Sequence, residues 1–132
     1  MRVRVQTVDG VFDVELETEE VVAFEPAERL VPEPEPRLEL PLVVAAAASG
    51  STVAAVVERR PPVVVSYDAG HTWSETGGGL PPGRAIAVAA DDPDHIVYGA
   101  RNRLYVSRDG GRFWRALTPE LPEIERIAFA GW

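Results

Sequence analysis

The chain has 132 residues, 45% of them hydrophobic and 26% charged, with a formal net charge of -8. That length holds one domain with a real core, or a piece of a larger assembly, and the balance is that of a globular chain. The acidic sign argues against a broad nucleic-acid footprint, and the absence of Cys removes disulfides, thiolate metal sites and a thiol nucleophile. All 13 basic residues are Arg, so there is no lysine for a Schiff base or a phosphate loop. Arg without Lys, with one each of Asn, Gln and Met, fits a GC-rich genome better than a hot habitat, whose usual mark includes Lys enrichment. No apolar run is long enough to span a membrane, and the opening "MRVRVQTVDG" lacks the parts of a secretory signal. A cytoplasmic protein without a cofactor is the expectation.

In chain order, "MRVRVQT", "VFDVELET" and "VVAFEP" alternate as strands do, the first two joined by the turn pair Asp9-Gly10. "PAERL", Pro26 to Leu30, suggests at most one helical turn. "AERLVPEPEPRLELP", Ala27 to Pro41, alternates Pro with other residues and reads as a stiff, extended connector. Two four-stranded units follow. Strands are expected near 42–48, 52–58, 62–67 and 71–76, then near 84–90, 95–100, 103–107 and 112–117. A last apolar segment runs from Ile124 to Gly131.

The two units are one unit written twice. A gapless shift of 41 lays Val63, Val64 and Val65 on Leu104, Tyr105 and Val106, and Val56 and Val57 on Val97 and Tyr98. It also pairs Leu80-Pro81 with Leu121-Pro122 and Ile86-Ala87 with Ile127-Ala128. Each unit opens on a run rich in Ala and apolar on both faces, such as "LVVAAAAS" and "RAIAVAAD". A strand buried on both sides reads that way, and small side chains suit the crowded inner strand of radially arranged sheets. Four-stranded units of ~40–45 residues mark a β-propeller.

The same shift superimposes "SYDAGHTW", Ser66 to Trp73, on "SRDGGRFW", Ser107 to Trp114. Both resemble the Asp-box, Ser-x-Asp-x-Gly-x-Thr-Trp, of bacterial neuraminidase repeats. The stretch from Asp91 to Trp114 is similar to blades of sortilin-like, photosystem-assembly-factor-like and xyloglucan-hydrolase propellers. The resemblance covers about Leu40 to Trp132, and its one departure is Phe113 where Thr is usual. It implies propeller blades and a structural turn away from the ligand face; it implies no shared activity. Within the turns, Asp68 and Asp109 are suited to accept backbone N–H groups. Gly70 and Gly111 supply positive φ, Ser66 and Ser107 bond across the hairpin, and Trp73 and Trp114 plug the blade. Thr72 completes the first box. No catalytic residue is assigned.

The whole chain is thus expected to be a single all-β domain of about three blades. Strands at 1–26 and 124–132 build a shared blade, 27–41 connect, and 42–79 and 84–119 form the repeats. Since propellers need at least four blades, closure of a six-bladed ring by a homodimer is expected. In it each C-terminal strand would exchange onto Met1 to Thr7 of the partner. A trimer of two-blade units and a monomer are the alternatives.

Turns between second and third strands gather Arg59, Arg60, Arg101 and Arg103 on one face. Arg84 and Arg126 stand near the channel mouth. Guanidiniums so placed suit a carboxylate or phosphate, though nearby Glu58, Glu123 and Glu125 also offer them surface partners. "DDPDH", Asp91 to His95, lacks calcium-loop spacing and reads as a turn rather than a metal site. A sialidase-like glycoside hydrolase would need placed carboxylates, an arginine triad and a Tyr nucleophile. Tyr67, Tyr98 and Tyr105 have no reason to face the channel, so a non-catalytic scaffold for protein or carbohydrate is the preferred reading.

Overall fold

A computed structural model describes residues 1–23, 35, 36, 38 and 40–130. The described chain is all β. Its strands are β1 (Arg2–Thr7), β2 (Gly10–Glu15), β3 (Val21–Ala23), β4 (Val43–Ser49), β5 (Thr52–Val57) and β6 (Val63–Ser66). Then come β7 (Ser74–Thr76), β8 (Gly83–Val88), β9 (Ile96–Ala100), β10 (Leu104–Ser107), β11 (Arg115–Ala116) and β12 (Ile124–Phe129). Beta-branched and small residues dominate the middle strands of each unit, as a pleated surface buried on both faces requires. All six residues of β5 and all five of β9 are buried.

Three four-stranded antiparallel sheets result. The first repeat is β4-β5-β6-β7, the second β8-β9-β10-β11, and the closing blade β12-β1-β2-β3. They stack as propeller blades do, with β4, β8 and β12 innermost. The second repeat is central. Its strand β8 lies beside both β4 and β12, which among the described residues do not touch each other. The outer strands are shorter than the sequence suggests, β7 starting at Ser74 and β11 at Arg115. Residues just before them give their N–H groups to Asp68 and Asp109 instead of to a ladder.

Two cores fill the spaces between blades. Val56, Val63 and Val65 of the first repeat meet Ile96, Tyr98 and Ala100 of the second. Their counterparts one repeat on, Val97, Leu104 and Val106, meet Val3, Val5, Val14 and Leu16 of the closing blade. Each repeat thus uses one face for the next blade and the other for the blade before. Two glycines let the layers close. A Cβ on Gly83 would stand 2.3 Å from the Tyr98 ring, and one on Gly99 would stand 2.8 Å from Ile127 of the closing blade.

The chain seals its third blade with its own two ends. β12 pairs with β1 of the same chain in antiparallel register, from Val3↔Phe129 to Thr7↔Ile124. The sequence reading puts this strand on Met1 to Thr7 of a partner; in the structure of the single chain it lies on the same residues of its own chain. The closing blade sits directly beside the second repeat, so β12 needs only to step to the neighbouring position. Among the described residues the row of blades is open between the first repeat and the closing blade, whose innermost strands β4 and β12 do not meet. The proposed helical turn at Pro26 to Leu30 and most of the connector lie outside the described residues. Leu38 and Leu40 are described, and both pack on the outer face of the first repeat, against Ala46, Ala55, Val57 and Val64 with Val43 and Trp73.

Candidate functional site

A hairpin that reverses within a few residues leaves several backbone donors without ladder partners, and in each repeat one Ser and one Asp satisfy them. Ser66 Oγ donates to Asp68 Oδ1 at 2.7 Å and accepts the Gly70 N–H at 2.8 Å. Asp68 in turn accepts the Thr72 N–H at 2.8 Å and the Thr72 hydroxyl at 2.6 Å. The second turn repeats the pattern: Ser107 Oγ to Asp109 Oδ1 at 2.8 Å, Gly111 N–H to Ser107 Oγ at 2.8 Å, Phe113 N–H to Asp109 Oδ1 at 3.0 Å. Gly70 and Gly111 adopt φ of 91° and 94°, beyond easy reach of other residues. Trp73 and Trp114 fold under these glycines, their rings 3.7 and 3.6 Å from where a Cβ would be.

Donors aimed at a carboxylate favour its charged form. The Thr72 hydroxyl, the Ser66 hydroxyl and the Thr72 N–H hold Asp68 far below the usual carboxylate range. The Phe113 N–H, with the Ser107 hydroxyl, also lowers Asp109 below its ordinary value. Every donor in this geometry belongs to the turn itself, so the carboxylates brace the loop.

The second turn also grips the first repeat. The Tyr67 hydroxyl donates to Gly110 O at 2.5 Å, the Thr76 hydroxyl donates to Gly111 O, and Trp114 Nε1 donates to Thr76 Oγ1 at 3.2 Å. Arg112 lies over the Tyr67 ring, 5.1 Å from its centroid.

The opposite end of the blades carries the arginines. Arg84, Arg101 and Arg103 line a cleft of about 420 Å³ together with Pro81, Pro82, Asn102, Tyr105 and Glu120. Arg126 lies instead in a groove of about 630 Å³ along the innermost strands, which Arg84 also lines. Ala45 to Ala48, Ala85, Ala87 and Ala128 form much of its wall, with Glu35, Glu125, Ile127 and Phe129. Arg59 and Arg60 are exposed on the β5–β6 turn and line neither hollow. Two of the arginines are paired: Arg84 with Glu123 at 3.3 Å and Arg103 with Glu120 at 3.1 Å. Among the described residues Arg59, Arg60, Arg101 and Arg126 form no ion pair.

Tyr105 joins the arginine cleft, a role that sequence reasoning did not assign. The signal was there, since the shift of 41 replaces Val64 by Tyr. Tyr98 is fully buried, donates to Pro81 O at 2.5 Å, and has its pKa pushed up by desolvation. At the other end, His95 Nδ1 lies 2.9 Å from Asp92 Oδ2. No three His, Asp or Glu side chains converge on one point among the described residues.

No protein-family model matches the chain, and no curated protein does. Among solved structures it is similar to YCF48 bound to D1 peptide, with a TM-score of 0.52 and 20% identity, over 91% of this chain and 37% of that one. It is also similar to a GH74 enzyme of Niastella koreensis, with a TM-score of 0.47 and 18% identity, over 86% of this chain and 17% of that one. The chain spans well under half the length of either. The first likeness shows the fold, that of β-propeller blades.

Proposed function

We propose that the chain is a non-catalytic binding scaffold with blades braced by Asp-boxes, and that its ligand is an extended peptide carrying a carboxylate. The observation that carries this reading is the position of Arg84, which lines both the cleft and the groove. Arg101 and Arg103 approach it from the cleft side and Arg126 from the groove side. A carboxylate at this junction would meet forked donors that a lysine could not supply. The Ala-lined groove leaves room for a backbone with small side chains, and its volume lies in the range of ordinary ligand sites. The peptide bound to the similar YCF48 propeller lends the peptide class weight.

Nothing in the hydroxyl network favours a glycosidase. The Tyr67 and Tyr98 hydroxyls are spent on backbone carbonyls. Nor do the outer faces favour a six-bladed ring of two chains. The closing blade's far face carries Arg4 paired with Asp13 at 2.8 Å and Arg2 near Glu15 at 3.6 Å. The first repeat's far face lies under Leu38 and Leu40.

Isothermal titration with an Ala-rich pentapeptide tests the site. The free C-terminal carboxylate should bind at least about tenfold, or 1.4 kcal/mol, tighter than the amidated form. Arg101→Ala and Arg126→Ala should each erase most of that difference. Equal binding of the two peptides would discard the arginine junction as the site.

A further inference from the structure

Each innermost strand has only one neighbour in its sheet, so an extra residue in it disturbs a single ladder and re-aims one side chain. All three innermost strands carry such a slip. Val57 faces Val43 and Val56 faces Ala45, passing over Val44. Ala100 faces Gly83 and Gly99 faces Ala85, passing over Arg84. Gln6 faces Arg126 and Thr7 faces Ile124, passing over Glu125. Each passed-over residue is the second of its strand, each is exposed, and each lines the groove. They share a place and not a chemistry: one is apolar, one cationic, one anionic.

The three slips lie at one end of the groove. Arg84 meets Glu123 at 3.3 Å where β8 and β12 begin, and Ser49 Oγ donates to Ala90 O at 3.2 Å where β4 and β8 end. Because β8 lies beside both β4 and β12, Val44, Arg84 and Glu125 follow one another across the groove. Gln6, only 3% exposed, donates from Nε2 to Glu125 Oε1 at 3.0 Å and fixes that carboxylate from behind. A guanidinium has five N–H donors, so Arg84 keeps some beyond its contact with Glu123. An acid beside it disfavours a lone carboxylate, and a ligand that brings a cation next to its carboxylate suits both.

Resting on the reading of the groove as a site for a peptide carboxylate, we propose that the three slipped residues select the last two residues of that peptide. Arg84 takes the terminal carboxylate. Val44 meets the last side chain, which is apolar, and Glu125 meets the one before it, which is cationic. Successive side chains of an extended chain point to opposite sides, as β4 and β12 stand on opposite sides of β8. The order of the two residues, and not their presence alone, is therefore what the groove distinguishes.

Titration calorimetry with two free-acid pentapeptides of one composition and one charge, Ala-Ala-Ala-Lys-Val and Ala-Ala-Ala-Val-Lys, tests the selection. The first should bind about fivefold tighter, the worth of one exposed ion pair. Glu125→Gln, which keeps an oxygen for Gln6, should bring the two within about twofold. Val44→Glu added to it should make the second peptide the tighter ligand. Equal binding of the two by wild type, or a preference that Glu125→Gln leaves intact, would overturn the inference. The amide of the first peptide separates this failure from that of the carboxylate reading. A free acid that outbinds its amide while both orders bind alike removes the selection and leaves the carboxylate site standing. If no peptide binds, both fall.

Discussion

The first and second repeats present the same face to different neighbours. In the second repeat, Tyr98, Tyr105 and Trp114 lie between the sheets and receive Val56, Val63 and Val65 of the blade before. In the first repeat, Val57 and Val64 occupy the places of the two tyrosines, and Trp73 that of Trp114. Among the described residues, what covers them is Leu38 and Leu40 of the connector. The difference shows what each cover demands. A whole sheet packed face to face leaves a deep space that aromatic rings fill, with edge-on contacts at 6.1 Å between Tyr98 and Tyr105 and 6.0 Å between Tyr98 and Trp114. A single passing segment leaves a shallow one that valines fill. Terminal units of stacked repeats commonly need such a cap.

Four changes break this comparison, in falling order of effect. Gly83→Ala should be the most damaging, above about 3 kcal/mol, because Tyr98 is fully buried and its ring cannot yield 2.3 Å of approach. Chemical denaturation would measure it, and Tyr98→Val in the same chain should recover part of the loss. Leu38→Asp with Leu40→Asp should uncover the first repeat alone. We expect about 2–4 kcal/mol of destabilisation and new binding of a hydrophobic dye, with the second repeat's amide protection unchanged. Thr76→Val removes the bridge from Trp114 and Gly111 to the first repeat and should cost about 1 kcal/mol, read as faster exchange of the Gly111 region.

The smallest effect concerns acid. Asp68 and Asp109 both titrate below their ordinary value in the fold. Their contribution is full above the unfolded-state pKa of ~3.9 and fades as pH falls below it toward the lowered values. Melting temperature should therefore drop on acidification from about pH 4. Asp109→Asn should flatten that drop by less than about 4 °C, since the group is exposed and screened.

Much of this was legible because it lies inside the repeat. Once Val56 falls on Val97 and Val65 on Val106, the inner strands, the turns and the faces between repeats follow from period and turn chemistry. What escaped lies outside the period. The pairing of β12 with β1 joins residues 117 or more apart in sequence, and nothing local says whether the partner strand belongs to the same chain. The cap by Leu38 and Leu40 hid in a segment whose Pro and Glu content reads as solvated. The arginines were read as one face with two more at a channel mouth, whereas the structure divides them between a cleft, a groove and an outlying turn. Side-chain direction at blade ends follows from loop geometry, which alternation along strands does not encode.

The central claim is that a single chain seals its own row of blades, and a cross-link reads it directly. Arg4 and Ala128 face each other across β1 and β12, and the chain has no cysteine to interfere. Oxidised Arg4→Cys/Ala128→Cys protein should run as one chain of 14.3 kDa under denaturing, non-reducing conditions, with the disulfide inside it. A covalent species of twice that mass as the main product would show the two ends meeting between molecules, contrary to the structure described.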